Sequence, residues 1–269
     1  METTEGGTAA AKATTQWPEV RQIGLADIID VLAAGLRDFR AAPIYSLFFG
    51  AIYAVGGWVL VLLLLYFDLP YLVYPLAMGF ALIAPFVATG LYAISRDLEQ
   101  GRSLSWGALL GSVRGATRSD LGWMALVTGF SLFIWMDIAA FIFFGFFGFG
   151  SLDASDLLAQ IFTTGTGLLF LLAGNAVGAI LALIVFSFSV VSFPMLFDRN
   201  VDFVTAMVTS VKVVLENPHS MVVWCAIIAV LVAGSLLSAL VGLFVVLPVL
   251  GHATWHLYRR AVGPAPGAA

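Results

Sequence analysis

Asp27–Pro43 reads DIIDVLAAGLRDFRAAP, Leu104–Asp120 reads LSWGALLGSVRGATRSD, and Asp202–Pro218 reads DFVTAMVTSVKVVLENP. Aligned on the basic residue (Arg37, Arg114, Lys212), the three are one pattern. Apolar residues lie eight, five, four and one positions before it: Ile29, Leu32, Ala33, Leu36, then Trp106, Leu109, Leu110, Val113, then Val204, Met207, Val208, Val211. Those offsets put four side chains on one helical face, so each copy predicts an amphipathic helix. Six positions after the basic residue stands Pro43, Asp120 or Pro218, residues that start or break a helix, and a long apolar run follows each.

Those runs set the class. The chain has 269 residues, 61% hydrophobic and 10% charged, with mean hydropathy +1.02. Soluble domains carry roughly 25% charged residues. Long uncharged runs read as membrane-spanning helices, because a helix satisfies its own backbone polar groups where lipid offers no partner. Cys225 is the only cysteine and lies in such a run. It reads as a buried, inert thiol.

Six spans are predicted. Pro43–Phe67 has no charge over 25 residues. Asp68-Leu69-Pro70 is a turn, and Tyr71–Ser95 is the second span, closed by a polar loop from Arg96 to Arg102. Leu121–Phe147 is the third, interrupted only by Asp137 and running into an aromatic, glycine-rich end at Phe141–Gly150. Leu157–Phe197 is uncharged for 41 residues. It divides either into a short interfacial segment (Leu157–Thr164) and a span over Gly167–Phe197, or into two short spans broken near Gly174-Asn175. Ser220–Tyr258, uncharged for 39 residues, reads as a tight hairpin of Met221–Leu237 and Ala239–Leu257.

The basic residues choose between these divisions. With six spans and the N-terminus inside, all 12 Lys and Arg fall on one side and none in the outer loops, as the excess of basic residues in cytoplasmic loops requires. A seventh span would move Arg199 and Lys212 outside. The expected architecture is all-α: a polytopic bundle of six transmembrane helices, built as three parallel repeats of a cytoplasmic amphipathic helix plus a transmembrane hairpin. The repeats cover about 27–95, 104–197 and 202–258, within one membrane domain at 25–260. Residues 1–24 and 261–269 read as disordered tails, and the first of these has no basic-then-apolar signal-peptide pattern. Each even span carries a proline (Pro85, Pro194, Pro248), and Pro85/Tyr92/Arg96 repeats as Pro248/Trp255/Arg259 at identical spacing.

Few residues offer chemistry. Asp137 is the one acidic group deep in a predicted span, where an ionisable residue marks either a proton or cation pathway or a hydrogen bond between helices. Asn175 reads as a helix-to-helix contact. His252 and His256 share one helical face, but no Cys, Asp or Glu lies near them in sequence, so no metal or cofactor is expected. Arg37, Arg40, Arg114, Arg118, Lys212, Arg259 and Arg260 are placed for anionic headgroups at the inner leaflet. Asp198-Arg199-Asn200 and Asn217-Pro218-His219 read as helix caps. No G-x-S-x-G, H-E-x-x-H, C-x-x-C or Walker pattern occurs, and no nucleic-acid partner is expected.

Three stretches carry a family resemblance: LAAGLRDFRAAPIYSLFFGAIY (Leu32–Tyr53), SFPMLFDRNVDFVTAMVTSVKVVLENP (Ser192–Pro218) and LPVLGHATWHLYRR (Leu247–Arg260). They look like an uncharacterised family of predicted bacterial integral membrane proteins, classed as a domain of unknown function, over nearly the whole chain after about residue 20. Members are sometimes labelled similar to cytochrome c oxidase subunit I. An oxidase core needs more histidine ligands for its haems and copper than the three His here. The resemblance implies a cytoplasmic (inner) membrane location with both termini inside, and no defined activity. The expectation is a non-enzymatic accessory, assembly or organising factor, in contact with lipids and with a larger complex or further copies of itself. The alternative is a small transporter or channel with Asp137 on its pathway.

Overall fold

The structure is a computed structural model that describes residues 17–66, 73–116, 120–148 and 154–264. The turn at Asp68-Leu69-Pro70, the segment around Arg118, the acidic loop at Asp153 and the outermost parts of both predicted tails lie outside the described residues. Among the described residues the chain is all helical: α1 (Leu25–Ala41), α2 (Pro43–Tyr66), α3 (Val73–Glu99), α4 (Trp106–Ala116), α5 (Leu121–Phe147), α6 (Ala154–Thr163), α7 (Gly165–Ser189), α8 (Ser192–Asp198), α9 (Phe203–Glu216), α10 (Pro218–Leu237) and α11 (Leu243–Ala261). Four segments are long and apolar enough to cross a membrane: Pro43–Leu63, Leu121–Phe147, Gly165–Asp198 and Pro218–Leu237.

The two ambiguous runs resolve. In the 41-residue run, α6 is a short separate helix and α7 passes unbroken through Gly174-Asn175. Thr164 makes the break: its side chain accepts from the Gly167 N–H at 3.0 Å and caps α7. Gly167 packs on the α6 backbone so closely that a Cβ there would collide with Gln160 O. The hairpin in the last run turns at Ala239 and Leu240, both in the left-handed region (φ 51° and 69°), where an L-residue is strained. Hydrogen bonds hold that turn: Leu240 N–H to Ser235 O at 3.0 Å, and Trp58 Nε1–H of α2 to Ala239 O at 2.7 Å.

α11 is the hub. It packs on α1, α2, α3, α8 and α10. Small residues permit this, as they do wherever membrane helices approach closely. A Cβ on Gly35 would lie 2.6 Å from Val249 O and 2.7 Å from Ala253 N. One on Gly50 would lie 2.7 Å from Phe244 O. α5 packs on α3 and α7, and α7 on α9, so the hairpin of α5 and α7 stands at the margin of the bundle.

Two expectations are corrected and one pattern is refined. First, the repeated apolar face is only partly buried. Its leading residues are exposed in all three copies, Ile29 at 69%, Trp106 at 38% and Val204 at 50%, while Leu109 is fully buried. α1 buries the neighbouring face of Ile28, Val31, Ala34 and Gly35, and α9 buries Thr205, Ala206, Thr209, Ser210 and Val213. Small and hydroxyl-bearing residues fit the tight helix contacts beside Ile28, Val31 and Val213. Second, α3 runs on through Arg96–Glu99, predicted as loop. Its last turn is held by neighbours, with Arg102 Nε donating to Asp97 at 3.1 Å and Trp255 Nε1 donating to Glu99 at 3.1 Å. Third, parts of both predicted tails are packed. Val20 and Val262 form an antiparallel bridge, with Arg21 N–H to Ala261 O at 2.8 Å and Gly263 N–H to Glu19 O at 2.9 Å. Ile23 is buried, and its N–H donates to Asn217 Oδ1 at 2.6 Å. Asn217 therefore anchors this segment instead of capping α10 with its side chain.

Candidate functional site: a polar clasp at the hub

The polar groups of the membrane domain gather where α1, α2, α3, α8 and α11 meet. His252 sits on α11 one turn after Pro248, fully buried. Ser46 of α2 lies 2.9 Å from its Nε2 and Ser95 of α3 lies 2.8 Å from its Nδ1. His252 thus ties α11 to both α2 and α3, one ring nitrogen to each. His256, one turn further along α11, meets Asp38 of α1 at 2.7 Å through Nε2. Asp38 is largely buried, which works against its charge, but the hydrogen bonds from His256 and Ser95 outweigh that and hold its carboxyl below the usual range.

Around this chain lie further ties. Arg259 Nε donates to Glu99 at 3.2 Å, and Arg260 bridges to Asp27 and to Asp30. Tyr258 OH donates to Asp198 at 2.7 Å and accepts from Arg199 Nε at 2.6 Å. Asp198 and Arg199 thus tie α8 to α11, where the sequence suggested caps. The cap of α9 is Asp202, which accepts from Thr205 N–H at 2.9 Å and from its hydroxyl at 2.6 Å. At the centre, Tyr92, Phe197 and Trp255, from the ends of α3, α8 and α11, form a near-equilateral triangle of rings. Their centroids lie 6.3, 6.1 and 6.5 Å apart. The two ends that share the proline-aromatic-arginine spacing supply Tyr92 and Trp255.

The structure brings together His252, His256, Arg259 and Arg260, each with a different partner. Among the described residues no group of three His, Cys, Asp or Glu is disposed to hold a metal. It leaves the other predicted residues apart. Asp137 is exposed on the side of α5 turned away from α7 and bonds to no other described residue. It stands on the α5–α7 hairpin, apart from the polar groups gathered around α11. Asn175 is exposed on α7, and its Nδ2 donates to Leu171 O of its own helix at 2.7 Å, with no bond to another helix among the described residues. Arg37 and Arg40 are exposed and make no ion pair with a described residue. Arg114 is exposed and Arg118 lies outside the described residues. Lys212 Nζ lies 4.8 Å from the centre of the Trp17 ring, a contact within the protein.

Reading the sequence alone missed Ser46, Ser95, Asp38, Glu99 and Asp198. One signal was present. Ser46 follows Pro43 by three, and Ser95 immediately precedes Arg96, so both sit at the inner ends of predicted spans, level with one another.

Among known proteins, no curated protein and no solved structure matches the chain. A family model described as a predicted integral membrane protein (DUF2189) matches residues 73–198. The matched segment, α3 to α8, overlaps the three resembling stretches only at Ser192–Asp198. It supplies two of the three rings at the centre and the whole α5–α7 hairpin. The chain is an integral membrane protein, and its α3–α8 region carries the likeness to that family of unknown function.

Proposed function

We propose that this protein is a non-enzymatic, six-span protein of the bacterial inner membrane, an accessory, assembly or organising factor for a membrane complex. The four apolar segments are joined in this reading by α3 and α11, which complete three hairpins. The basic residues support an orientation with both termini cytoplasmic, since all 12 then lie on one side. The observation that carries the functional reading is the ring triangle of Tyr92, Phe197 and Trp255, with Tyr92 and Trp255 buried. It packs the meeting point of α3, α8 and α11 with rings, and most polar groups around it pair with one another, Arg96 Nε and Arg199 Nη1 excepted. What the bundle offers to other molecules is its outside. There the α5–α7 hairpin presents apolar faces with Asp137 and Asn175 among them, and α1 presents Leu25, Ile29, Arg37 and Arg40, an apolar and basic face suited to anionic lipid at the inner leaflet.

The test is affinity isolation of the full chain from native membranes in mild detergent. A fixed set of other membrane proteins is expected in stoichiometric amounts. Isolation that repeatedly returns this chain alone would count against the reading. So would an ion or solute flux in proteoliposomes that Asp137→Asn abolishes.

A further inference from the structure

The α5–α7 hairpin carries a ridge and a groove that match at one depth. The ridge is the face of α5 turned away from α7, bearing Trp123, Phe130, Ile134, Asp137, Phe141 and Phe144, all exposed. They recur every three or four positions, so they form one stripe along the helix, with the single carboxyl group in its middle. The groove runs between α5 and α7 and holds two cavities on either side of Trp135. The inner, of about 420 Å³, is flanked by Gly178 and Ala182. The outer, of about 220 Å³, is flanked by Ala139, Gly174 and Asn175. Around a Cβ built on Gly174 there is open space.

The levels follow from contacts between the two helices. Trp135 lies against Gly178, and the Phe143 and Phe147 rings meet Phe170 at 6.1 and 5.1 Å. Between those contacts the antiparallel register sets Asp137 level with Asn175, within about one residue's rise of 1.5 Å. On the same scale Phe130 stands at the height of the inner cavity and Phe141 at that of the outer one. Copies of a membrane protein related by rotation about the membrane normal keep every residue at its own height. The ridge of one copy therefore meets the groove of the next with no shift along the normal. Asn175 spends one amide hydrogen on Leu171 O, which leaves a second N–H and a carbonyl lone pair. An ionised Asp137 accepts from that N–H, and a protonated one donates to that oxygen. A polar group left alone among lipid tails is costly, and α5 and α7 carry no Lys or Arg beside it.

We infer that the chain assembles with further copies of itself, head to tail, the α5 ridge of one seated in the α5–α7 groove of the next, Asp137 bonded to Asn175 across the contact. The inference rests on the organising role proposed above and names its first partner as the protein itself. A contact that repeats in this way is heterologous and closes into a ring when the rotation allows. A two-fold contact of ridge on ridge would instead set Asp137 against Asp137 and leave the groove empty.

Two differently tagged full-length chains, each with Cys225→Ser, are co-expressed, one carrying Asp137→Cys and the other Asn175→Cys. Their membranes are treated with a short bifunctional thiol reagent. The expected product is a cross-link between the two tags, at least tenfold stronger than with either substitution alone. A ridge-to-ridge product from Asp137→Cys alone, equal to or stronger than the mixed one, overturns the inference, and so does the absence of any product between copies. Folding is controlled by exchange. Asp137→Asn alone weakens self-association in detergent by about three- to tenfold, and adding Asn175→Asp restores it to within about threefold; failure of the exchange to restore it also overturns the inference. The two readings fail separately. Cross-linked copies that co-purify with no other protein sink the accessory role and leave the assembly. Other proteins in fixed amounts with no cross-link between copies do the reverse.

Discussion

The hub around α11 and the α5–α7 hairpin are alike in composition and opposite in construction. In the hub, Ser46, Ser95, Asp38, His256, Glu99 and Asp198 all find partners on other helices, and Gly35 and Gly50 bring the backbones together. In the hairpin, Gly174 opens a groove instead of closing a contact, and Gly178 receives the Trp135 ring beside the cavities. Its mid-level polar groups, Asp137 and Asn175, bond to no other helix among the described residues. The difference assigns two jobs. The hub holds the chain together, and the hairpin is available to something else. Substitutions in the hub are expected to read out in stability and those in the hairpin in association.

The largest effect is expected at His252. His252→Leu keeps the volume but strands the hydroxyls of Ser46 and Ser95 in a dry site, each at a cost of about 1–3 kcal/mol. A loss of about 3 kcal/mol is expected in reversible denaturant unfolding of the detergent-solubilised protein. A change below about 1 kcal/mol would mean that the clasp contributes little and would erase the contrast with the hairpin.

Gly35→Ala comes next. Its methyl group meets backbone atoms of α11, Val249 O and Ala253 N, which cannot rotate out of the way as a side chain can. Overpacking of this kind costs about 1–3 kcal/mol. The control is Gly174→Ala in the hairpin, where there is open space and no loss is expected. Equal losses at both positions would break the comparison.

Acid should act on the hub through Asp38. Its carboxyl is held below its value in the unfolded chain, near 3.9. The stabilisation is therefore complete above that pH and is lost as pH falls through the folded value. Melting midpoints followed from pH 6 to 3 should drop more steeply for the native chain than for Asp38→Asn. Parallel curves would show that Asp38 is not the group responsible. A smaller effect, about 1 kcal/mol, is expected for Asp202→Ala, which removes the cap of α9.

The sequence made the hairpin more legible than the hub. Helix extent depends on local pattern, and α5 occupies the residues read from it, Leu121–Phe147. The turn near residue 240 was legible from the Gly and Ser residues around it, and the break before α7 from the placing of Lys and Arg on one side. Which faces meet was not legible. The repeated apolar face of α1 was visible, but in a membrane protein an apolar face serves lipid as well as protein, and close helix contacts favour Gly35 and Ala34 over Ile29. The spacing of His252 and His256 placed them on one face. Their partners come from α2, α3 and α1, and no local pattern names the helices that will lie beside α11.

Asp137 gives the smallest expected effect on the fold and the sharpest use of the comparison. No described residue is bonded to its carboxyl group, so Asp137→Leu removes no interaction seen in the isolated molecule and fits an exposed apolar stripe. Unfolding stability of the monomer, measured at a detergent excess that keeps copies apart, should not fall, with any change within about 0.5 kcal/mol or toward greater stability. Under dilute detergent the same variant should associate more weakly than the native chain. A fold destabilised by more than about 1 kcal/mol would mean that Asp137 is part of the bundle's own packing. The hairpin would then belong with the hub, and the division of labour between the two regions would be lost.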